Sequence, residues 1–475
     1  MLRKFFEEVL GFVKSFFEKE ESILVLFALF AGGFFVFNFF SPDAVGYLKV
    51  LILSIGRFLI LTWWLWFFLL FLPLVWSLWR YWRSGLFAAS LKEAILEIKI
   101  PGQNLRTPMA MEQVFMALNT LKDSPFDMWE RYFKGKFTRE LSLEIMSFGG
   151  EVHFYMVVSP KEKEIIKAAF FSNYPDIEIE EVDEDYMERL PRDGLDMWRK
   201  KYQLWGSEFD LAKKGLYPIR TYPYFFEEIK EEKRVDPISS FLALASTMKD
   251  KEIFGAQIII SPAEKTWAKE FDEELKELRE RKKEEKTGVE GDSSMAMFSI
   301  RSPGQTEVLK AVEANLAKPA FETVIRFLYV APQEIFSDSA VYKGVKVAFD
   351  QYNTLDMNSF KYNFLTMTKT SFEFWPHFFP KMQTELRRQR LLYNFRNRNT
   401  PGGTFIGKWL TSRWFSPNNV SKSFFLNTES LATIFHIPTT GILTAPHLRR
   451  VESRKTGPPS GLPIFGEEEE ISRFQ

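Results

Sequence analysis

The stretch Gly149-Gly150-Glu151-Val152-His153-Phe154-Tyr155-Met156-Val157-Val158-Ser159-Pro160-Lys161-Glu162 decides how the chain is read. The glycine pair makes a turn into an apolar strand over Val152–Val158. Ser159-Pro160-Lys161-Glu162 then starts a helix, with a serine N-cap, a proline at the first helical position and a capping-box glutamate. Ile165, Ile166, Ala169 and Phe170 fall on the buried face of that helix. On the N-terminal side, Leu141, Leu143 and Ile145 alternate along a strand, and Leu96, Ile98 and Ile100 alternate with Glu97 and Lys99 along another. Between those strands Thr107–Leu121 puts Met111, Val114, Phe115 and Leu118 on one helical face, and on the far side Ile177 with Ile179 closes the unit. Strand–helix–strand–strand–helix–strand is the order of the ferredoxin-like split unit, expected here as an α+β domain over 84–190.

The same punctuation returns downstream. Phe254–Ile260 ends in Ser261-Pro262-Ala263-Glu264, and Val324–Val330 ends in Ala331-Pro332-Gln333-Glu334. Ile100-Pro101-Gly102-Gln103 is echoed by Ser302-Pro303-Gly304-Gln305. The recurrence predicts a duplicated module and tandem ferredoxin-like units, the second α/β domain occupying 191–400. Its first half is expected over Tyr217–Phe226, Pro237–Met248, Phe254–Ile260 and Ala263–Lys283. Met297–Arg301, Gln305–Leu316, Glu322–Val330 and Gln333–Tyr352 complete it. A charged, then Gly/Asp/Ser-rich insertion lies near 279–294. Past Tyr352 the pattern weakens to helices at Met382–Phe395 and Leu426–Phe435. Residues 401–475 read as a C-terminal segment, with a linker from His436 onward.

N-terminal to the modules the chain changes character. Met1–Glu21 has the spacing of an amphipathic interfacial helix. Ile23–Phe40 and Phe58–Trp79 are apolar runs with lengths suited to a bilayer core of about 30 Å, so residues 22–83 are expected to form a transmembrane helical hairpin. Arg3, Lys4, Lys14 and Lys19 before the runs and Arg80, Arg83 and Lys92 after them outnumber Lys49 and Arg57 between them. That bias predicts a multi-pass protein of the cytoplasmic (inner) membrane with both termini cytoplasmic and the lipid bilayer as a partner.

Net charge is zero over 475 residues, so no global field recruits nucleic acid. The absence of cysteine excludes disulfide scaffolds, thiolate metal sites and cysteine nucleophiles. His153, His377, His436 and His447 lack any zinc spacing. Gly402-Gly403-Thr404-Phe405-Ile406-Gly407-Lys408 imitates a phosphate loop, but Trp409 stands where Mg²⁺ needs a hydroxyl, and no strand precedes it. No catalytic, cofactor or metal residues are therefore assigned, and the chain is expected not to be an enzyme. Asp176–Glu188 carries eight acids and reads as a solvated loop or strand edge. Its counterpart, Lys381–Arg413, interleaves Arg387, Arg388, Arg390, Arg396, Arg398, Lys408 and Arg413 with Tyr393, Phe395, Trp409 and Trp414. Arginines among aromatics suit single-stranded DNA through phosphate contacts and base stacking. Contact with an acidic surface on another subunit, or with the acidic stretch Asp176–Glu188 of this chain, is the other reading.

Leu426-Asn427-Thr428-Glu429-Ser430-Leu431-Ala432-Thr433-Ile434-Phe435-His436-Ile437-Pro438, followed by a basic, proline-containing stretch to Pro458-Pro459, resembles a segment of type IV secretion and conjugation-type ATPases of the coupling or pilus-assembly kind. In that family the segment precedes a RecA-like motor. The resemblance implies a membrane-anchored N-terminal region without the ATPase domain. Such a region would be a non-catalytic, homo-oligomeric assembly platform that holds a RecA-like motor domain or protein at the cytoplasmic membrane face. A membrane-tethered adaptor for single-stranded nucleic acid is the alternative.

Overall fold

The computed structural model describes residues 42–101, 104–121, 127–226, 235–264, 266–280, 303–369, 380–411, 420–439 and 450–451. The chain divides into two compact units, Met1–Trp79 and Arg80–Gln475. In the described part of the first lie helix α1 (Pro42–Leu61) and the beginning of α2 (Trp63–Ser90). The expected second span, Phe58–Trp79, is therefore not one helix. Thr62 is a turn between α1 and α2, and Pro73 lies inside α2. Among the described residues no helix is long and apolar enough to cross a membrane. The expected interfacial helix and the run Ile23–Phe40 lie outside the described residues.

The second unit is α+β around a mostly antiparallel sheet. Its first module runs β1 (Ala94–Pro101), α3 (Pro108–Thr120), β2 (Leu141–Phe148), β3 (Glu151–Val158), α4 (Lys163–Asn173) and β4 (Glu178–Val182). In space the strands lie β4–β1–β3–β2. The second runs β5 (Tyr202–Leu211), α5 (Ser239–Ser246), β6 (Ile253–Pro262), α6 (Pro303–Leu316), β7 (Ala320–Pro332), α7 (Asp338–Asp350) and β8 (Phe360–Tyr362). Its strands lie β8–β5–β7–β6, the same permutation. Antiparallel pairing of β2 with β6, from Leu141↔Ile260 to Phe148↔Ile253, joins the modules edge to edge. The two stretches expected as separate domains thus share one sheet, because each module left alone would leave its apolar second strand as an unpaired edge.

The first strand of the second module is a correction to the sequence reading, which began that module at Tyr217. Gly206, Ser207 and Glu208 interrupt the apolar pattern of β5, yet all of Leu204–Phe209 is buried. The turn at Ser159–Glu162 also differs slightly. Ser159 O accepts the amides of Glu162 (3.0 Å) and Lys163 (3.1 Å), and regular helix begins at Lys163.

The sheet buries both faces. One face carries Leu96, Leu143, Phe154, Ile258, Phe327 and their neighbours under α3, α4, α5 and α7. The other carries Ile95, Met146, Tyr155, Val157, Leu328 and Val330 under the segment Tyr186–Arg199 and α8 (Pro380–Arg396). The chain then adds β9 (Phe424–Asn427) to β7, α9 (Thr428–Ile434) to the first face, and β10 (Arg450–Val451) to β1.

Candidate functional site

Charged side chains enter the interior where α8 crosses the seam between the modules. Arg326 of β7 is fully buried and pairs with Glu208 of β5 at 2.8 Å. It also donates to Gln257 Oε1 (2.9 Å), Asn394 O (3.0 Å) and Asn399 O (2.9 Å). Gln257 of β6 passes the chain on, donating to Phe395 O (3.0 Å) and to Glu144 Oε1 of β2 (3.1 Å). Glu144 also accepts from Ser142 Oγ (2.6 Å), Arg398 Nε (3.0 Å) and the Tyr186 hydroxyl. Arg398 reaches on to Asp185 and Glu93, both at 3.2 Å. Burial and the neighbouring Glu144 carboxylate hold the Tyr186 hydroxyl protonated, well above its ordinary pKa. Four adjacent strands and the end of α8 are thus tied through one hydrogen-bonded relay.

This geometry places several members of the basic cluster. Arg387 is buried and donates to Phe364 O (2.8 Å) and Met367 O (3.2 Å). Arg396 donates to Met187 O, Leu190 O and Pro191 O at 2.5–3.2 Å. With Arg398, these three arginines are engaged in contacts within the fold. Arg388 is half-buried, 3.7 Å from Glu385, and Arg390, Lys408 and Trp409 are exposed. Arg413 and Trp414 lie outside the described residues. Among the described residues, the structure therefore does not bring the cluster onto one surface. The acidic counterpart is likewise dispersed: Lys99 pairs with Glu180, Lys163 with Glu181 (2.6 Å), and Asp185 with Arg398.

The segment expected as a helix followed by a linker is a bracket between the modules. Asn427 Oδ1 caps α9 by accepting from Ser430 N (2.7 Å). Glu429 and the buried Glu112 of α3 share Lys318 Nζ at 2.5 and 2.7 Å, and Tyr222 donates to Glu112 Oε2 (2.6 Å). Thr433 Oγ1 accepts from Tyr222 N (2.9 Å). His436 belongs to the core, not to a linker, and is fully buried. Its Nδ1 lies 2.9 Å from Ala432 O and its Nε2 2.7 Å from Asp236 Oδ1. Asp236 also accepts from Thr439 N and Oγ1, both at 2.9 Å, and from Ile238 N at 3.1 Å. Burial alone would raise its pKa, but the His436 charge and these donors outweigh that and hold it below the ordinary carboxylate value. Asn104 Nδ2 closes the bracket on Ile437 O (3.1 Å) and Pro438 O (3.0 Å).

Little else suggests chemistry. Gly402–Lys408 enters a short helix, Phe405–Leu410, capped by Thr404 Oγ1 on Gly407 N (3.1 Å), and it follows α8, not a strand. His153 contacts Glu97 at 2.8 Å. Among the described residues no three His, Asp or Glu side chains gather in a way that could hold a metal ion. A cleft of about 440 Å³ opens beside Asn104, Arg106, Tyr174 and Asp176. A family model described as "Domain of unknown function (DUF8128)" matches residues 92–449, a span that begins just before β1 and takes in the bracket. Comparison with curated proteins gives no match.

Proposed function

Because the chain belongs to the DUF8128 family, a domain of unknown function, we propose its role from its own architecture. It is a non-catalytic platform that holds a translocation motor, of the type IV secretion or conjugation kind, against the cytoplasmic face of a membrane. The observation that carries this reading is the apolar surface of α1 and α2. Val50, Leu53, Phe58, Ile60, Leu61, Trp63 and Leu72 are each at least 60 % exposed. Apolar surface of this extent is covered by lipid or protein in a working molecule. The apolar run Ile23–Phe40 just before it favours lipid, with residues 22–83 as the anchor and both termini cytoplasmic. A platform role is supported by the use of polar side chains in the second unit, where the buried clusters end in contacts that hold the two modules together.

The test is fractionation of the full chain expressed in a bacterial cell. The protein is expected in the membrane fraction, to resist alkaline carbonate, to show no ATP turnover when purified, and to cross-link to a RecA-like ATPase. Recovery in the soluble fraction, or ATP hydrolysis by the purified chain, would sink the reading.

A further inference from the structure

We infer that the segment Asp127–Lys136, clamped to the C-terminal turns of α2, is a headgroup contact that rests on an anionic lipid surface. The inference builds on the membrane reading above and names the part of the second unit that touches the bilayer. Within that unit, α2 from Arg80 to Ser90 grips the segment. Arg83 Nε donates to Phe133 O (2.5 Å), the Arg80 guanidinium stands 5.5 Å over the Tyr132 ring, and Phe87 meets Phe137 edge-on at 5.5 Å. Gly135 has φ 70°, and a side chain there would strike the Arg83 carbonyl, so only glycine permits the close approach.

What this clamp presents is the reverse of a soluble surface. The short helix Met128–Tyr132 buries none of its residues. Met128 is 69 % and Trp129 56 % exposed, and Trp129 stacks on Phe133 at 4.1 Å to make a flat aromatic step. Arg131 and Lys134 flank the step, Lys134 exposed with its Nζ 3.8 Å from Glu130. The nearby acids are occupied locally, Asp127 by Met128 N (2.8 Å) and Glu130 by Lys136 Nζ (2.6 Å). Tryptophan with basic neighbours suits the boundary between headgroups and hydrocarbon, and the bases favour anionic lipids. Lipid is the occupant that fits, because the helix holding the step carries apolar surface N-terminal to Arg80.

The chain has no cysteine, so Met128→Cys supplies a unique attachment point for a spin label in the full-length protein. The probe membrane is vesicles of equal parts phosphatidylcholine and phosphatidylglycerol. The label at 128 is expected to be several-fold more accessible to oxygen than to a water-soluble nickel relaxant, as at a headgroup contact. A label at Leu195→Cys, on a solvent-facing short helix, is expected to show the opposite preference. Protein that floats with the vesicles but leaves 128 as open to nickel as 195 overturns the contact while the membrane reading stands. Protein that does not float overturns both. Shielding at 128 in detergent that grows with protein concentration marks a protein contact and also overturns the inference. So does an undiminished oxygen preference in phosphatidylcholine alone, for the anionic requirement.

Discussion

At the residue scale the molecule is governed by a few buried charges whose partners are all internal. Arg326 is the clearest case, since Glu208 has its carboxylate fully inside the protein against it. Arg326→Met removes the cation and leaves the anion, and is expected to cost about 3–5 kcal/mol in denaturant unfolding of the full chain. Adding Glu208→Leu to Arg326→Met is expected to recover most of that loss, because the unpaired charge is then gone. A double variant no better than the single one would refute the assignment. Asp236 makes a pH prediction. Its folded pKa lies below the ordinary 3.8, so its stabilisation is complete above about pH 3.8 and is lost as pH falls through the folded value. Asp236→Asn is therefore expected to be about 3 kcal/mol less stable than the parent near neutrality. The gap should close in acid below pH 3.8, and a gap that widens there contradicts the sign.

At the element scale, α8 lies flat on the sheet because two strands make room for it. A methyl group at Gly206 would overlap Leu391 Cδ2 and the Phe327 carbonyl, and one at Gly255 would overlap the Met146 sulfur. Gly206→Ala is expected to destabilise by roughly 1–3 kcal/mol and to raise amide exchange selectively in 380–396, measured by mass spectrometry. Uniform exchange with α8 still protected would argue against this docking. The same residues mark the limit of what the sequence discloses. The alternation in β1 and β2 and the apolar run of β3 were legible as strands, whereas Pro160, Pro262 and Pro332 mark strand ends, with regular helix starting only at Lys163, Asp272 and Asp338. β5 was hidden by Gly206 and Glu208, whose small size and charge serve the helix above and the arginine beside. The arginines of α8 and of the turn after it read as surface because charge normally seeks water, and only the carbonyls of Phe364, Met187 and Leu190, with the Glu144 and Asp185 carboxylates for Arg398, explain why three of the cluster's arginines do not. Which strands form the seam was not legible at all, since β2 and β6 have the same apolar pattern whether paired or at an edge.

At the scale of the whole second unit, the seam makes the two modules one folding entity. Residues 84–190 expressed alone keep β2 as a bare edge and lack Arg398, α8 and α9. They are expected to aggregate, and to become soluble when 191–451 is co-expressed, eluting with it as one heterodimer on size exclusion. A monodisperse, fully helical and stranded 84–190 on its own would show that the seam is dispensable. The bracket at His436 carries this further. Asn104 waits for carbonyls 333 and 334 residues downstream, and Glu93 for an arginine 305 residues downstream. A ribosome adding about 5–20 residues per second needs on the order of tens of seconds to deliver those partners. During synthesis, then, the apolar N-terminal segments leave the exit tunnel long before the fold can close behind them. Completion of the sheet therefore waits for the last tenth of the chain, and Asn104 and Glu93 stand without these partners through that interval.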